Sequence, residues 1–430
     1  MITVAKTKIY SPEVLEHDLN QYFPELLKFE SIEETEKSAV YQKMRFKVEE
    51  ILNAVVVENF VSESEPSAVA DGLRSESKSL NRIPNDKYQP SASADGSGTV
   101  STVAWNIERG RIFEGILDAL KNHEQLKDKD LYLLTELDYG MTRSGNRFVA
   151  QEIARALKLN YAFAPVYIAL QKGSGVESEV EGENRQSIHG LAIFSKYPLK
   201  NVQAVALPNG KDKMIGKEKR LGYLRAVIAD VAHPLGTFRA VTVHLDVHCS
   251  RKHRVQQVKI ILDHLKTLPD LPTVFGGDFN TTTYNAQSVR HAIFGFWHRV
   301  MMGAKNVVEN HYPHPDRRFE KGIFDEFQKN GFEYQKFNEI GVGTLHYDME
   351  NAAYNTNLGD WVPQWCFPFI FWSARKVGGK FSLRLDWFFG KNIEIAENAK
   401  PQTIGNLQDK QGTPLSDHDA IALDFVVKKS

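Results

Sequence analysis

The 430-residue sequence predicts a mixed α/β (α+β) fold in which two β-sheets pack face to face, preceded by a helical N-terminal extension. Short β-rich runs alternate with a few helical patterns beyond residue 99, and this order of predicted elements is typical of packed mixed sheets. A break in composition separates this part from the helical start of the chain. With 42% hydrophobic and 25% charged residues, the composition is that of a globular protein with a sizeable core.

Residues 1–60 carry two helix signals. Over 12–26 a Ser-Pro start is followed by apolar residues at helical spacing. Ser31, with Glu34 three residues on, has the pattern of a capping box and opens a helical stretch that runs to about Val57. We therefore expect the extension to consist of a pair of helices.

Residues 61–98 are crowded with Ser, Pro, Asp, Gly and Glu, and we interpret them as a flexible linker. The predicted main domain covers 99–428, with an insertion at about 281–383. Its β-rich runs lie at 100–107, 131–136, 190–195, 223–231, 238–246, 273–277, 383–389 and 419–427. Its helical patterns lie at 112–122, 147–158 and 251–267.

The charge balance disfavours a dedicated duplex-DNA binder. Lys and Arg number 53 against 54 Asp and Glu, whereas such binders carry a basic excess that neutralises phosphates. With only Cys249 and Cys366, the chain has no disulfide framework. The first residues lack a signal-peptide pattern, and no window approaches the roughly 18 consecutive apolar residues of a membrane span. We expect a cytoplasmic protein.

Polar and ionisable residues stand at the ends of the predicted strands, where the sequence would otherwise be apolar. Strand ends that face one rim of a sheet can assemble a site from distant parts of a chain. We therefore treat these side chains as one candidate site. They are Asn106, Glu136, His244, Asp278, Asn280, Asp386, Asp417 and His418.

The residue types in this set fit metal-assisted chemistry on a phosphate. Glu136, Asp417 and Asn106 offer oxygen ligands, which suit a hard ion such as Mg²⁺ better than zinc, with Mn²⁺ as the alternative ion. Asp278 could orient or deprotonate a water molecule. The set therefore holds both metal ligands and a general base.

The remaining residues could stabilise charge on a phosphoryl group. Asn280, His244 and His418 are hydrogen-bond donors suited to that charge as it builds. Asp386 could fix the tautomer and orientation of His418, as carboxylates do for catalytic imidazoles. Capping and turn chemistry is the alternative for each residue taken singly, but the joint pattern favours catalysis.

The ordered series WNIERG, TELD, HGLAIFSKYP, VTVHLD, GGDFN, RLDWFFG and LSDHDA resembles the endonuclease/exonuclease/phosphatase (DNase I-like) superfamily. Each motif alone is weak, but seven in the family's order across residues 99–428 make a specific match. The resemblance implies a four-layer α/β sandwich. It also implies in-line attack of water on phosphorus, assisted by a divalent ion.

The resemblance implies the same roles for the eight residues and adds a ninth. Glu136 matches the principal metal ligand, and Asp278 matches the residue that activates water. His244 matches a histidine of the deoxyribonuclease and sphingomyelinase branches that contacts phosphate or donates a proton. Arg225, in LGYLRAVIADV, lies where several members place a phosphate-binding arginine. No catalytic position that we can match is replaced, which disfavours an inactive relative.

Two segments leave alternatives open. The stretch 209–225 has six Lys and Arg against two acidic residues and is either an attractor for a polyanionic substrate or a solvated loop. The aromatic run 361–372 would suit a lipid interface if exposed, which would give a peripheral membrane contact. We favour burial of this run, because large aromatic side chains usually lie inside.

Taken together, the sequence predicts a Mg²⁺-dependent hydrolase of phosphoester bonds, with phosphodiesters favoured. Its substrate could be a nucleic acid, a phospholipid or inositol phosphate, or a small phosphoester. The alternative is a catalytically idle scaffold of the same fold that binds a partner through residues 1–60. Binding of a divalent ion between Glu136 and Asp417 would distinguish the two.

Overall fold

The structure is a computed structural model that describes residues 8–60, 98–350 and 362–427. Apart from Gly98, the predicted linker lies outside the described residues. The strands are β1 (Lys8–Tyr10), β2 (Ala54–Glu58), β3 (Thr99–Arg109), β4 (Leu131–Tyr139), β5 (Asn160–Ala169), β6 (Ile188–Ser195), β7 (Leu199–Ala206), β8 (Arg220–Gly222), β9 (Arg225–Val231), β10 (Phe238–His244), β11 (Thr273–Asp278), β12 (Leu345–Asp348), β13 (Lys380–Leu383), β14 (Asp386–Lys391), β15 (Ile393–Ile395), β16 (Gln402–Ile404) and β17 (Ala420–Val427).

The helices of the described residues flank these strands. They are α1 (Phe23–Leu26), α2 (Ile32–Lys37), α3 (Ala39–Asn53), α4 (Phe113–Asn122), α5 (Val149–Leu157), α6 (Arg251–Leu265), α7 (Val289–Met302), α8 (Ala304–Asn310), α9 (Lys321–Lys329) and α10 (Phe367–Arg375). Short 3-10 turns at Pro12–Leu15 and Leu19–Tyr22 precede α1, where the sequence predicted one continuous helix.

Two large mixed sheets form the centre of the protein. The first has the order β1-β2-β5-β6-β4-β3-β17-β15, with β8 paired to β5 and β16 to β17, and the second has the order β14-β11-β10-β9-β7. One apolar layer lies between the sheets, a second separates the first sheet from α3, α4 and α5, and a third separates the second sheet from α6 and α9. The predicted four-layer sandwich is confirmed.

Strand β4 shows why the sequence adopts this arrangement. Leu131 and Leu133 point into the layer between the sheets, whereas Tyr132 and Leu134 point towards the helices. Because side chains alternate along a strand, a sheet covered on both faces needs an almost unbroken apolar run. The segment LYLLTELD satisfies this requirement until it reaches the polar residues at its end.

The N-terminal segment is only partly helical. The Ser31 hydroxyl accepts a hydrogen bond from the Glu34 amide at 3.2 Å, which confirms the predicted helix start. The prediction that helix continues to Val57 is wrong, because α3 ends at Asn53 and strand β2 follows. The consecutive β-branched valines of AVVVE favour a strand, and β2 pairs with β5 while β1 pairs with β2.

The same segment shares its apolar core with the main domain. Val48 and Ile51 of α3 are fully buried in one layer with Trp105 of β3 and Phe163 of β5. Residues 8–58 therefore complete the first sheet and its helical layer. They do not form a separate helical extension.

The predicted insertion at 281–383 also contributes to the main core. Phe324 and Phe327 of α9 are buried against the second sheet, and the Phe327 ring stacks on Phe389 with centroids 3.8 Å apart. In contrast, α7, α8, α10 and the antiparallel pair β12–β13 pack around two small apolar clusters of their own. One part of the segment therefore belongs to the core of the main domain, and the other part forms additional structure outside that core.

Three of the five aromatic side chains in the described part of the run 361–372 are exposed. Trp365, Phe369 and Trp372 keep 63%, 44% and 45% of their surface accessible. The prediction of burial is wrong because only a small cluster that includes Cys366 lies beneath α10, too little to cover both faces of an aromatic helix. Among the residues that the structure describes, no helix has both the length and the apolarity needed to cross a membrane.

We expect Ile51→Ala to lower the free energy of unfolding of the whole protein by about 2–5 kcal/mol, because it removes a fully buried side chain from the shared layer. Urea unfolding followed by tryptophan fluorescence measures this, since Trp105 and Trp387 are fully buried in the two sheets. Phe46→Ala is the control on the same helix, with 83% of Phe46 exposed and an expected change within about 0.5 kcal/mol. A separate early transition with an unchanged main transition would contradict the shared core.

Candidate active site

The site lies where three strands of the second sheet come together. Asp278 is the last residue of β11, the parallel strand β10 pairs His244 with it, and the antiparallel strand β14 pairs Asp386 with it. Gly277 permits this arrangement, since it has φ 145° and a Cβ there would lie 2.2 Å from the Val243 carbonyl oxygen. The second glycine of GGDFN therefore lets β10 approach closely enough to place His244 beside Asp278.

The first sheet contributes Asn106 and Glu136 through irregular backbone. The pairing of β4 shifts register between Leu134 and Leu137, and Glu136 lies within this bulge with φ 58°. A bulge redirects a side chain, and a left-handed conformation at a non-glycine residue costs about 1–3 kcal/mol and is found mainly at functional sites. The Asn106 Nδ2 donates to Glu136 Oε1 at 3.1 Å and links the two strands.

Asp278 is the buried centre of the site. Its Oδ2 accepts a hydrogen bond from Asn106 Nδ2 at 3.2 Å and lies 3.5 Å from His244 Nε2 and 3.8 Å from His418 Nε2. Its Oδ1 accepts from the Asn280 amide at 2.8 Å. Burial raises the pKa of Asp278 to about 6, although the nearby charge of His418 acts in the opposite direction. This carboxylate is ionised at neutral pH and basic enough to take a proton from water.

His418 is held in one orientation from several sides. Its Nδ1 lies 2.8 Å from Asp386 Oδ2, its amide donates to Ser416 Oγ at 3.1 Å, and Trp105 Nε1 donates to its carbonyl at 2.9 Å. Burial opposes protonation of this imidazole, but Asp386 and Asp278 raise the pKa of His418 well above its ordinary value. The Nε2 atom is thus presented to the site as a charged hydrogen-bond donor.

Asn280 adopts a left-handed backbone conformation immediately after Phe279, with φ 48°. Its Nδ2 donates to the Leu245 carbonyl at 2.8 Å, which fixes the side chain between β11 and the end of β10. An amide group carries two N–H donors, so one remains for another acceptor. The predicted phosphate contact of Asn280 stays a prediction.

Glu108, Glu136 and Asp417 influence one another electrostatically, although their ligand atoms do not all lie within 4.8 Å of one another as those of Asp278, Asp386 and His418 do. Burial, reinforced by the charge of Asp417, raises the pKa of Glu108 to about 7. Burial also raises the pKa of Asp417, where the attraction of His418 is offset by the repulsion of Glu136. Because these oxygens repel one another, a divalent cation would be favoured among them, and an all-oxygen donor set fits a hard ion.

Glu108 was missed by the sequence reasoning. It stands two positions after Asn106 in WNIERG, and this spacing is the signal that could have identified it. As placed, Asn106 accepts from the Glu108 amide at 3.1 Å through its Oδ1 and directs its Nδ2 at two carboxylates. Asn106 therefore links Glu136 to Asp278 here, and its predicted role as a metal ligand stays a prediction.

Another group that could hold an ion comprises Asp278, Asp386 and His418, whose ligand atoms all lie within 4.8 Å of one another. Its 2.8 Å hydrogen bond between Asp386 and His418 is the arrangement that orients an imidazole. A group containing nitrogen also suits a transition metal better than a hard ion. By donor type alone, the all-oxygen set of Glu108, Glu136 and Asp417 suits a hard cation better, whereas the ligand atoms of Asp278, Asp386 and His418 are the closer together.

A buried network of ion pairs lies next to Glu136 and influences its charge. Burial alone would raise its pKa, but Arg109, 3.7 Å from Oε2, and the neighbouring imidazoles hold the pKa of Glu136 well below its usual range. Further back, Arg143 contacts both oxygens of Asp138 at 2.8 and 3.1 Å, and His189 Nδ1 lies 2.7 Å from Asp138. The spacing of Glu136 and Asp138 in TELD was an available signal for this network.

Arg225 is the predicted site residue that the structure places elsewhere. Its Nη1 donates to the carbonyls of Ala54 and Pro165 at 2.7 and 3.3 Å, and its Nη2 donates to the Asn53 carbonyl at 3.3 Å. The predicted phosphate-binding role of Arg225 is wrong, because its guanidinium is buried at the junction of α3 and β2. Burial there lowers the pKa of Arg225 to about 10.

Some of the cationic side chains in the basic stretch 209–225 are bound to other parts of the protein. Lys219 Nζ donates to the Phe29 carbonyl at 2.6 Å, and Lys213 Nζ lies 3.1 Å from Asp246. These cations tie the stretch to the N-terminal segment and to the loop after β10. The stretch is therefore a weaker attractor for a polyanion than its composition suggested.

Comparisons with known proteins find one family model and several similar solved structures. The endonuclease/exonuclease/phosphatase family model matches residues 103–418. A family protein from Beutenbergia cavernae DSM 12333 is similar in structure at 15% identity, with 77% of this chain and 72% of that chain covered and a TM-score of 0.43. D. rerio TDP2 humanised by 14 mutations is similar at 14% identity, with 76% of this chain and 99% of that chain covered and a TM-score of 0.41. The human Nocturnin catalytic domain with bound sulfate is similar at 14% identity, with 76% of this chain and 93% of that chain covered and a TM-score of 0.40.

Two packed mixed sheets, with a buried carboxylate and imidazoles at one rim, define the class as a DNase I-like sandwich. The chain belongs to the endonuclease/exonuclease/phosphatase family, and this membership supports a phosphoester hydrolase. No curated protein matches the sequence. The family assignment thus rests on the sequence match over residues 103–418.

A pH-dependent effect on stability follows from the loop beside the site. Asp246 is 2% exposed and accepts hydrogen bonds from the Gly210 amide at 2.8 Å and Lys213 Nζ at 3.1 Å. Burial acts in the opposite direction, but Lys213 and the backbone donors lower the pKa of Asp246 to about 2. A carboxyl whose pKa is lowered by folding stabilises the protein above its unfolded pKa of about 3.9. That contribution is lost as the pH falls towards 2.

We expect Asp246→Asn to destabilise the protein at pH 7 by about 2 kcal/mol, with the difference shrinking between about pH 4 and pH 2. Urea denaturation of both proteins across this pH range measures the effect. Asp263→Asn, at a side chain that is 70% exposed, is the matched control. A penalty for Asp246→Asn that is independent of pH would contradict the assigned charge.

Proposed function

We propose that the protein is a divalent-metal-dependent hydrolase of phosphoester bonds that acts by in-line attack of water, with Mg²⁺ as its ion and Mn²⁺ as the alternative. The observation that carries the proposal is the buried Asp278 carboxylate, with Asn106, His244 and His418 within 3.2 to 3.8 Å of one oxygen. A base placed beside hydrogen-bond donors suits a reaction in which water loses a proton as negative charge builds on phosphorus oxygens.

In the proposed reaction Asp278 accepts a proton from the attacking water as the new P–O bond forms. His418, oriented by Asp386, donates a hydrogen bond from Nε2 to a non-bridging phosphoryl oxygen. Asn280 supports the same group with its remaining N–H. His244 contacts the phosphoryl group or protonates the leaving oxygen as the scissile P–O bond breaks.

Glu136 and Asp417 would hold the ion together with Glu108, and Asn106 is the fourth candidate ligand. When bound, the ion supplies positive charge that stabilises the phosphoryl and leaving oxygens. Arg109 keeps Glu136 ionised, and the Asn106 amide keeps Glu136 beside Asp278. The ion would therefore lie next to the base that activates water.

We further propose a phosphoester substrate, with phosphodiesters favoured over monoesters. It belongs to one of two classes, the nucleic acids or the phospholipids and inositol phosphates. The alternative of a catalytically idle scaffold that binds a partner through residues 1–60 has less support. Residues 8–58 are packed into the first sheet and its helices, as Val56, Met44 and Ile51 illustrate. The complete set of a base, oriented imidazole and carboxylates also has no purpose in a scaffold.

The decisive test is hydrolysis of a substrate panel in the presence of Mg²⁺, Mn²⁺ or EDTA. The panel contains plasmid DNA, an aryl phosphodiester, sphingomyelin and an inositol polyphosphate. We expect metal-dependent turnover of at least one substrate, and Asp278→Asn should reduce kcat by about 10²–10⁴-fold because it removes the general base. Asp263→Asn, on the exposed face of α6, should leave kcat unchanged. No turnover on any substrate, together with no binding of either ion, would refute the proposal.

A second test separates ion binding from turnover. We expect Glu136→Gln to weaken binding of Mg²⁺ or Mn²⁺, measured by calorimetry, by at least about tenfold because it removes a charged ligand. Glu114→Gln is the control, at a carboxylate that is 76% exposed. Equal affinities for wild type and Glu136→Gln would place the ion elsewhere, with the group of Asp278, Asp386 and His418 as the next candidate.

A further inference from the structure

Helix α7 carries an apolar stripe on its outer face. Phe294, Trp297 and Met301 follow one another at spacings of three and four residues, so they share one side of the helix. They keep 72%, 41% and 79% of their surface accessible. The outer side of a surface helix is normally polar, so this stripe lacks the partner that would cover it.

The 3-10 turn Gln364–Cys366 and helix α10, which follows it, present a second stripe beside the first. Trp365, Phe369 and Trp372 recur at spacings of four and three residues and are 63%, 44% and 45% exposed. The rings of Trp297 and Phe369 lie 5.6 Å apart between centroids and join the two stripes. We call the exposed surface formed by Phe294, Trp297, Met301, Trp365, Phe369 and Trp372 the aromatic face.

The charge around the aromatic face has one sign. The segments 289–302 and 362–379 contain four Lys and Arg and no acidic residue, in a chain whose net charge is −1. Arg290, Arg375 and Lys376 are exposed, and Lys376 Nζ lies 3.8 Å from the centroid of the Trp372 ring. The fourth cation, Arg299, is buried and donates to Thr283. The nearby Lys305 and Glu309 offset each other across 3.8 Å.

The geometry points to an anionic lipid surface as the occupant of the aromatic face, and we propose that the protein docks there peripherally. Tryptophan and phenylalanine on one side of a helix pair, bordered by Lys and Arg, match the headgroup and acyl boundary of a bilayer. The unbalanced cations complement anionic headgroups. A second copy of the chain would bring the same cations together in a symmetric contact, which disfavours self-association.

The proposal is tested with purified full-length protein and lipid vesicles. One vesicle type contains phosphatidylcholine alone, and the other contains phosphatidylcholine mixed with phosphatidylglycerol. We expect flotation with the anionic vesicles, a partition roughly tenfold stronger than to the neutral ones, and weakening by added salt. The tryptophan emission should shift to shorter wavelength on binding, because Trp297, Trp365 and Trp372 enter a less polar environment.

Two variants and one control locate the contact. The double variant Phe294→Ser/Phe369→Ser should lose most of the binding, and Arg375→Glu/Lys376→Glu should lose the preference for anionic vesicles. Phe46→Ser, at a phenylalanine that is 83% exposed on α3, should bind as wild type does. Thermal unfolding of each variant confirms that it is folded.

Three results would overturn the proposal. One is absence of wild-type binding to the anionic vesicles. Another is unchanged binding by folded Phe294→Ser/Phe369→Ser protein. The third is a wild-type dimer, seen by light scattering, that this double variant makes monomeric, since it would identify a second copy as the occupant. These measurements do not use catalysis, so they stand apart from the proposed hydrolase activity.

Discussion

The buried Asp278 carboxylate is the constraint on which the site depends. A carboxylate with 1% exposure is tolerated because Asn106 and the Asn280 amide donate hydrogen bonds to it, and because the His418 imidazole, 3.8 Å away, offsets its charge. These partners come from both sheets, so the packing of the sandwich and the polarity of the site require each other. The glycine before Asp278 and the bulge at Glu136 are local features that allow this convergence.

Much of this arrangement was predictable from the sequence, because it depends on local pattern. Apolar runs that end in a polar residue identified most of the central strands, and the motif order identified the residues around Asp278. The same reasoning failed for Arg225, whose strand position fits a phosphate contact. Its side-chain direction is decided by the carbonyls at the end of α3, a contact between residues 171 positions apart.

Other failures have equally physical causes. Helix propensity carried the predicted second helix to Val57, but pairing of β2 with β5 overrides propensity once the first sheet offers a free edge. Burial of the aromatic run was expected from residue type alone. Whether a Trp is covered depends on what else reaches it, and beneath α10 only a small cluster does. Glu108 was overlooked because its significance arises from the carboxylates folded against it.

In the proposed site, the carboxylates of Glu136 and Asp417 hold a divalent ion next to Asp278, the base that activates water. A crystal structure of the protein grown with Mn²⁺, with anomalous scattering used to locate the ion, tests this most directly. The account predicts an anomalous peak within bonding distance of the Glu136 and Asp417 carboxylates. A peak bound instead between Asp386 and His418, or no peak at saturating Mn²⁺, would contradict it.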